Sequence, residues 1–230
     1  MRKYYEAYDE RYKMIHEKGY SWAGSEPTPV VMETIKKNGI AKTAPMLEIG
    51  CGEGRDAGFL LKQGYNLTAA DVSPEAVSWC RKQFPACRDS FRVMDCLKSS
   101  DTKQYAFIYS VAVIHMLVKD EDRNAFFRFV HDHLSDDGIA LICSMGDGMH
   151  ESMSDIDTAF VLQERDHPAG KVLVAGTSLR MVSFPYFISE MRGNGMEVTE
   201  TGITSCIPEF RDLMYAVVRR RSFPAGSISE

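Results

Sequence analysis

Short apolar runs alternate with amphipathic segments along most of the chain, and this alternation gives the first expectation about its structure. The runs are brief and often β-branched, which is typical of parallel strands buried on both faces. Strands followed in turn by helices predict βα units around a mostly parallel sheet. Five strands are expected before residue 145: Met46–Gly50, Leu67–Asp71, Phe91–Met94, Tyr105–Ser110 and Ile139–Ser144.

The segments between these runs have recognisable helix ends. Thr28 and Ser73 each place a capping hydroxyl directly before a proline at the first helical position. Between Glu121 and Leu134, apolar residues recur at helical spacing, and the Asp-Asp-Gly sequence that follows is expected to turn the chain into the next strand. A further helix is expected around Ser183–Arg192.

The pattern changes after residue 145. Segment 148–170 is polar, and residues 146–182 are expected to form an insertion over the edge of the sheet. Two strands, near Met196–Ile203 and Leu213–Arg219, close the chain. The short link between them favours an antiparallel pair.

Composition narrows the function classes. The 230 residues, with 44% hydrophobic and 26% charged positions, suit one α/β domain that spans residues 1–230. A net charge of −5 argues against a nucleic-acid partner, because phosphate binding usually leaves a basic footprint. The chain opens with charged residues and has no apolar stretch near the ~18 residues of a membrane span. We therefore expect no membrane partner and a cytoplasmic location.

The cysteines do not form a C-x-x-C pair or any other metal-ligand spacing. Without an export signal they are expected to be reduced thiols, with no disulfide framework and no metal site. The six are Cys51, Cys80, Cys87, Cys96, Cys143 and Cys206.

A glycine-rich turn follows the first strand directly and reads Gly-Cys-Gly-Glu-Gly-Arg. Gly50, Gly52 and Gly54 allow the backbone to approach a ligand closely, and a helix that begins near Arg55 offers free N–H groups. About twenty residues later the second strand ends in Asp71, which is placed to accept hydrogen bonds from both ribose hydroxyls of a nucleoside. The pattern predicts a site for a nucleoside-containing cofactor.

The glycine spacing separates two such cofactors. Dinucleotide sites use G-x-G-x-x-G, whereas here the third glycine comes one residue early and Arg55 stands where that fingerprint has glycine. The acidic Glu48 inside the strand is also unusual for a dinucleotide site. An NAD-dependent oxidoreductase is therefore the disfavoured alternative.

The segment from Glu48 to Gly54 resembles motif I of the class I S-adenosylmethionine-dependent methyltransferases. Asp71 matches their ribose-binding acid, and Asp95 matches the acid that commonly holds the adenine amino group. Ser110-Val-Ala-Val-Ile-His-Met-Leu resembles the fourth-strand motif common among members that act on small molecules. The resemblance covers roughly residues 40–145, and the two ends of the chain follow the family only in outline.

The resemblance implies S-adenosylmethionine as cofactor and S-adenosylhomocysteine as product. It also implies a three-layer α/β sandwich with a seven-stranded, mostly parallel sheet whose last strand is antiparallel. Asp71 and Asp95 have a second interpretation, since each could instead cap the turn that follows it. The expected cofactor-binding residues are Glu48, Gly50, Cys51, Gly52, Gly54, Asp71, Val72, Asp95, Cys96 and Ser110.

His115 is the candidate catalytic residue. It lies just beyond the fourth strand, facing the place where the family positions the sulfonium methyl group. An imidazole with a pKa near ~6.5 could accept a proton from a nucleophile at neutral pH. The alternative is a packed or hydrogen-bonded histidine at a strand end.

Residues 1–40 are expected to form a helical lid that is rich in aromatic side chains. Tyr5, Tyr8 and Tyr12 share one helical face. Tyr12, Tyr20 and Trp22 are candidates for covering the substrate and contacting the cationic sulfonium. The alternative is a helix that only packs on the body of the domain.

The acceptor is expected to be a small molecule. Ser110-Val-Ala-Val stands where amino-methylating DNA enzymes carry an acid or amide followed by Pro-Pro, and the paired-glutamate loop of protein arginine methyltransferases is absent. The general resemblance is to tellurite-resistance-like and metabolite methyltransferases, with residues 146–182 near the substrate. A second alternative is a catalytically silent, S-adenosylmethionine-binding regulatory protein.

Overall fold

The computed structural model describes residues 2–24, 26–206 and 210–221, without the side chains of residues 206, 210 and 211. The helices of this part are α1 (Ala7–His16), α2 (Pro29–Lys37), α3 (Arg55–Lys62), α4 (Pro74–Gln83), α5 (Asp120–His133) and α6 (Phe184–Gly193). The strands are β1 (Met46–Ile49), β2 (Leu67–Asp71), β3 (Phe91–Val93), β4 (Tyr105–Val111), β5 (Leu134–Met145), β6 (Ser152–Met153), β7 (Leu162–His167), β8 (Gly170–Ala175), β9 (Arg180–Met181), β10 (Met196–Cys206) and β11 (Phe210–Arg220).

The central sheet has seven strands in the order β10-β11-β5-β4-β1-β2-β3. Strands β5, β4, β1, β2 and β3 are parallel, while β11 runs antiparallel to both of its neighbours, β5 and β10. The expected fold class and the antiparallel closing pair are confirmed. Because strand order reverses between β1 and β4, a crevice opens there at the carboxyl ends of the strands, where α/β sheets bind ligands.

Alternate residues of the buried strands face opposite layers of helices. In β1, Met46 packs with residues of α2, α3 and α4, and its neighbour Leu47 packs with residues of α5 and α6. Since side chains alternate across a strand, a strand covered on both faces is apolar at nearly every position. This arrangement gives the three layers.

Strand β5 begins earlier than its sequence suggests. It starts at Leu134, immediately after α5, so the expected Asp136-Asp137-Gly138 turn lies within the strand. Its pairing with β4 skips between Tyr105 and Phe107, which marks a bulge. A β-carbon on Gly138 would lie 2.9 Å from the carbonyl oxygen of Tyr105, so the bulge depends on this glycine.

Residues 146–182 contain more regular structure than their polar sequence indicates. Strands β7 and β8 form an antiparallel hairpin, and β6 pairs with β9 in a second small sheet. On the hairpin, Val172 and Val174 pack against Ile15 of α1. The hairpin therefore rests on the N-terminal helix, and together they cover the carboxyl edge of the central sheet.

Helices that could cross a membrane are absent from the described ranges, because none is both long and apolar enough. The five cysteines with described side chains are reduced thiols, whereas the side chain of Cys206 lies outside the described residues.

Candidate active site

A cavity of about 610 Å³ opens at the carboxyl ends of β1, β2 and β4. Volumes of this size are typical of small-molecule sites. The glycine-rich turn and the loops after β2, β3 and β4 form its base, and α1, residues 22–23, the β7–β8 hairpin and residues 177–179 form its walls. The sequence-predicted residues that line it are Glu48, Gly50, Cys51, Gly52, Asp71, Val72, Asp95, Cys96, Tyr12, Trp22 and His115.

Gly50 and Gly52 keep the turn open for a ligand. Both have positive φ, +75° and +52°, a backbone region that favours glycine. A β-carbon on Gly50 would clash with Val113, and one on Gly52 would lie 2.8 Å from the hydroxyl of Tyr12. Gly54 precedes α3 as its cap residue and lies outside the cavity lining.

Asp71 ties the end of β2 to this turn. Its Oδ2 accepts the Gly52 N–H at 2.8 Å, and its Oδ1 accepts the Ser73 N–H at 2.8 Å. Burial raises the pKa of the carboxyl group, although these backbone N–H groups oppose the rise. The cap of α4 is Ser73, whose hydroxyl accepts the Ala76 N–H at 3.0 Å.

Asp95, after β3, already has three partners. Its Oδ1 accepts the Leu97 N–H at 3.0 Å, its Oδ2 accepts the Tyr5 hydroxyl at 3.1 Å, and Lys98 forms an ion pair with it at 2.8 Å. The neighbouring Cys96 is half-buried, and the desolvation of its thiol raises the pKa of that group. The N-terminal segment therefore reaches the acid for which an adenine-binding role is predicted.

Two buried polar residues lie at the base of the cavity, on β1 and β4. Glu48 accepts the hydroxyl of Tyr109 at 2.9 Å, and burial raises the pKa of this carboxyl well above its usual range. Ser110 is fully buried beneath the lining, and its hydroxyl has no hydrogen-bond partner among the described residues. The cofactor role predicted for Ser110 stays a prediction.

Cys51 occupies the turn without being a reactive thiol. A hydrogen bond with Cys80 and burial raise the pKa of Cys51 well above its usual range. The Cys80 thiol donates to the Gly52 carbonyl oxygen at 3.2 Å. Since the thiolate is the nucleophilic form, the Cys51 sulfur has a structural place in the turn.

Of the aromatic candidates, Tyr12 and Trp22 line the cavity, whereas Tyr20 lies outside its lining and is 38% exposed. His167 stacks on Tyr20 at 5.3 Å between ring centroids and meets Trp22 edge-on at 5.2 Å. Its Nε2 also pairs with the Ser21 carbonyl oxygen at 2.9 Å. Through His167 the hairpin and the N-terminal segment form one wall.

His115 is 3% exposed and lines the cavity. Burial and the nearby charge of Arg123 lower its pKa to about 3, so the imidazole is neutral at pH 7. Its Nδ1 accepts the Met145 N–H at 3.4 Å, which places the proton of the neutral ring on Nε2. Its catalytic role stays a prediction, but an imidazole with this pKa is a weak proton acceptor.

The backbone just before His115 is strained. Ala112 has a φ of +58°, an uncommon conformation for a residue with a β-carbon, and its N–H donates to the Cys143 carbonyl oxygen at 3.1 Å. Such strain is concentrated at active sites and ligand clamps.

Residues 46–138 match a protein family described as Methyltransferase domain. This stretch contains the glycine-rich turn, Asp71, Asp95 and His115. This part of the chain is therefore similar to a methyltransferase domain.

Solved structures share the fold of this chain over nearly its whole length. The CcbJ methyltransferase from Streptomyces caelestis is 16% identical, with a TM-score of 0.68, and the match covers 96% of this chain and 99% of that one. The 1,6-didemethyltoxoflavin-N1-methyltransferase of Burkholderia thailandensis is 14% identical, with a TM-score of 0.69 and coverage of 96% and 92%. No curated protein matches the sequence.

The site also contains a buried carboxylate that sequence reasoning missed. Glu53, inside the glycine-rich turn, accepts the N–H groups of Trp22 at 3.1 Å and Ala23 at 2.5 Å. His16 pairs with Glu53 at 2.9 Å and with Glu75 at 2.8 Å. Burial lowers the pKa of His16, but these two carboxylates outweigh it, and the net pKa is raised.

Glu53 thus binds the N-terminal segment to the turn. No pattern in the sequence links Glu53 to His16, because the contact depends on how α1 crosses the edge of the sheet.

Proposed function

We propose that this protein is an enzyme that transfers the methyl group of S-adenosylmethionine to a small-molecule acceptor. The observation that carries the proposal is the Asp71–Gly52 contact, which places an acid from the end of β2 beside an open glycine turn. A carboxylate has about four lone-pair sites, and two backbone N–H groups leave room for two ribose hydroxyls.

The charge of the cavity suits the methyl donor, S-adenosylmethionine. Its carboxylates outnumber its guanidinium groups, and a negative lining stabilises a ligand that carries a sulfonium and an ammonium group. The lining carboxylates are Glu48, Glu53, Asp56, Asp71, Asp95, Glu164 and Asp166, and the guanidinium groups are Arg11, Arg55 and Arg165.

Each predicted residue then has a defined task. Gly50 and Gly52 leave space for the methionine part of the ligand, Asp71 accepts the ribose hydroxyls, and Asp95 accepts the adenine amino group next to Cys96. In this structure the Tyr5 hydroxyl donates to Asp95, so it gives up or shares that hydrogen bond when adenine binds.

When bound, S-adenosylmethionine supplies a methyl group activated by the sulfonium, and transfer leaves S-adenosylhomocysteine. The chain has to align the acceptor and exclude water from it. We assign water exclusion to Tyr12 and Trp22 in the N-terminal lid of residues 1–40. The neutral His115 positions the acceptor through a hydrogen bond, and residues 146–182 complete the acceptor side.

A small acceptor fits the cavity of about 610 Å³, whose walls come from α1, residues 22–23, the hairpin and residues 177–179. The toxoflavin enzyme that shares this fold acts, by its name, on a small heterocycle. A cytoplasmic location belongs to the same proposal, since it agrees with the reduced thiols of the described cysteines.

Thermal unfolding with and without ligand tests the cofactor. S-adenosylhomocysteine at a hundred times its Kd should add about 2.7 kcal/mol to the free energy of unfolding, which raises Tm by roughly 5–10 °C for a chain of this size. NADH at the same concentration should leave Tm unchanged. Stabilisation by NADH but not by S-adenosylhomocysteine would instead establish an oxidoreductase.

Methyl transfer itself is tested with S-adenosylmethionine labelled on the methyl group and a panel of small metabolites. We expect label in at least one product. Binding of S-adenosylhomocysteine without transfer to any amine, thiol, phenol or carboxylate of the panel would indicate a silent regulatory protein.

A further inference from the structure

Arg11, on α1, is a buried cation without an anionic partner. Its side chain lines the cavity and the residue is only 8% exposed. Its Nε donates to the Ala175 carbonyl oxygen at 2.9 Å, and its Nη2 donates to the Thr177 hydroxyl at 3.3 Å. Both partners are neutral, and no described carboxylate forms an ion pair with it. Buried charges in proteins are normally paired, so Arg11 has an unmet requirement.

The other two guanidinium groups of the cavity differ from it. Arg55 forms an ion pair with Asp56 at 3.4 Å and donates to the Thr28 hydroxyl at 3.0 Å. Arg165 is exposed on the hairpin, where it donates to the Gln163 side chain at 2.7 Å. Arg11 alone among these three described cations is both buried and uncompensated.

Trp22 provides an independent observation at the same place. Its indole Nε1 is buried and has no acceptor among the described residues, although Trp22 lines the cavity. The guanidinium carbon of Arg11 lies 5.9 Å from the centroid of the Trp22 ring and 4.8 Å from that of Tyr8. A buried donor without an acceptor needs a ligand atom, and here it lies near a cation that needs an anion.

We propose that Arg11 and the Trp22 indole N–H form a receptor for a carboxylate or similar oxyanion inside the cavity. The inference deepens the proposed function and rests on the same site. In a lining dominated by carboxylates, an anionic group on a ligand is repelled unless a cation faces it. Arg11 removes that repulsion at one position, and its planar guanidinium suits two-point contact with a carboxylate.

Two ligands could supply this group: the methionine tail of the cofactor, or an acidic acceptor. Calorimetry with S-adenosylhomocysteine and its decarboxylated analogue, which lacks only the carboxylate, separates them. If the tail is the source, Arg11→Met should weaken S-adenosylhomocysteine binding at least about tenfold and leave binding of the analogue unchanged. Trp22→Phe should shift affinity in the same direction by a smaller factor.

If the acceptor is the source, both nucleoside ligands keep their affinity in Arg11→Met. Benzoate and inorganic phosphate are then the probes, titrated into the free protein and into its S-adenosylhomocysteine complex. The wild type should bind at least one of them, and Arg11→Met should lose that binding about tenfold or more. Arg11→Lys, which keeps the charge but not the planar fork, should retain part of it.

Arg128→Met is the matched control, because Arg128 is exposed on α5 and lies outside the cavity lining. Unchanged binding of the decarboxylated analogue or an unchanged Tm shows that Arg11→Met is folded. Equal affinity of the wild type and Arg11→Met for S-adenosylhomocysteine, benzoate and phosphate overturns the receptor. Failure of the wild type to bind S-adenosylhomocysteine overturns the cofactor instead, and the benzoate and phosphate titrations still decide the receptor.

Discussion

The two ends of the cavity are built in different ways. At the β1–β2 end, one short turn and one acid meet through backbone groups, with Asp71 accepting the N–H groups of Gly52 and Ser73. At the β4–β5 end, the lining comes from His115 after β4 and from residues 177–179, which are far apart in the chain and meet where the Ser178 hydroxyl donates to the Met116 carbonyl oxygen at 2.7 Å. The first end is fixed by main-chain geometry, and the second by side chains brought together by tertiary packing.

This difference implies different tolerance to substitution. A backbone cradle fails abruptly when a β-carbon enters it, because the main chain cannot move aside without disturbing the sheet. A site assembled from side chains loses one contact at a time, so single substitutions there should have graded effects.

The largest effect is expected at Gly52. Gly52→Val places a β-branched side chain at a φ of +52° and a β-carbon 2.8 Å from the Tyr12 hydroxyl. Strain and collision together should weaken S-adenosylhomocysteine binding more than about 100-fold by calorimetry.

Gly39→Val is the control for that substitution, since Gly39 has a φ of +60° and no described atom lies within 4 Å of the point that its β-carbon would occupy. It carries the backbone strain without the collision and should bind normally. Retained affinity in Gly52→Val would remove the turn from the site.

An intermediate effect is expected at Asp71. Asp71→Ala removes the predicted ribose acceptor and leaves two backbone N–H groups without their partner. Charged hydrogen bonds contribute about 1.5–3 kcal/mol each, so the loss of one alone should lower affinity roughly 10- to 150-fold, and the loss of both should lower it further. Asp71→Asn should lose less, because the amide oxygen still accepts.

Asp137→Asn, an exposed acid on β5, is the comparison variant for that measurement. If Asp71→Ala and Asp137→Asn bind S-adenosylhomocysteine equally well, Asp71 does not hold the ribose.

The smallest effect is expected at His115. Loss of one neutral hydrogen bond to the acceptor costs about 0.5–1.5 kcal/mol, so His115→Gln should lower kcat about two- to tenfold. With a pKa of about 3, His115 should add no ascending limb to the pH–rate profile near neutrality.

A general base would behave differently: its loss would lower kcat about 10²–10⁴-fold, and the wild type would show an ascending limb near neutral pH that the variant lacks.

The low pKa of His115 also affects the stability of the protein. Because the folded pKa lies below the usual value of about 6.5, the free energy of unfolding should fall as pH drops from about 6.5 toward 3. His115→Gln should flatten that dependence in chemical denaturation.

The sequence predicts most of the sheet and the first half of the site for a shared physical reason. Strand β2 has the expected bounds, Leu67–Asp71, because its apolar residues Leu67, Ala69 and Ala70 are buried and the polar loop begins after Asp71. The glycine-rich turn is equally local, since its function depends on φ angles that glycine alone adopts readily.

The rest of the site, which depends on the hairpin and on α1, could not be predicted in the same way. Strand β7 is polar at nearly every position, so it lacks the apolar pattern of a buried strand. In the sequence, Arg11 and Glu53 resemble ordinary surface charges, because their burial depends on how α1 lies across the edge of the sheet. The bulge at the start of β5 depends on a single glycine inside an acidic stretch that otherwise predicts a turn.

The ion pair between Arg123 and Glu190 influences the site although neither residue lines the cavity. Arg123 is fully buried, contacts Glu190 at 2.5 Å and 2.7 Å, and donates to the Ile114 carbonyl oxygen at 2.9 Å. The same guanidinium therefore joins two helices, fixes the loop that carries His115 and contributes to keeping that imidazole unprotonated. One guanidinium group thus affects both the packing of α5 against α6 and the protonation state of His115. A change in one of these properties therefore brings a change in the other.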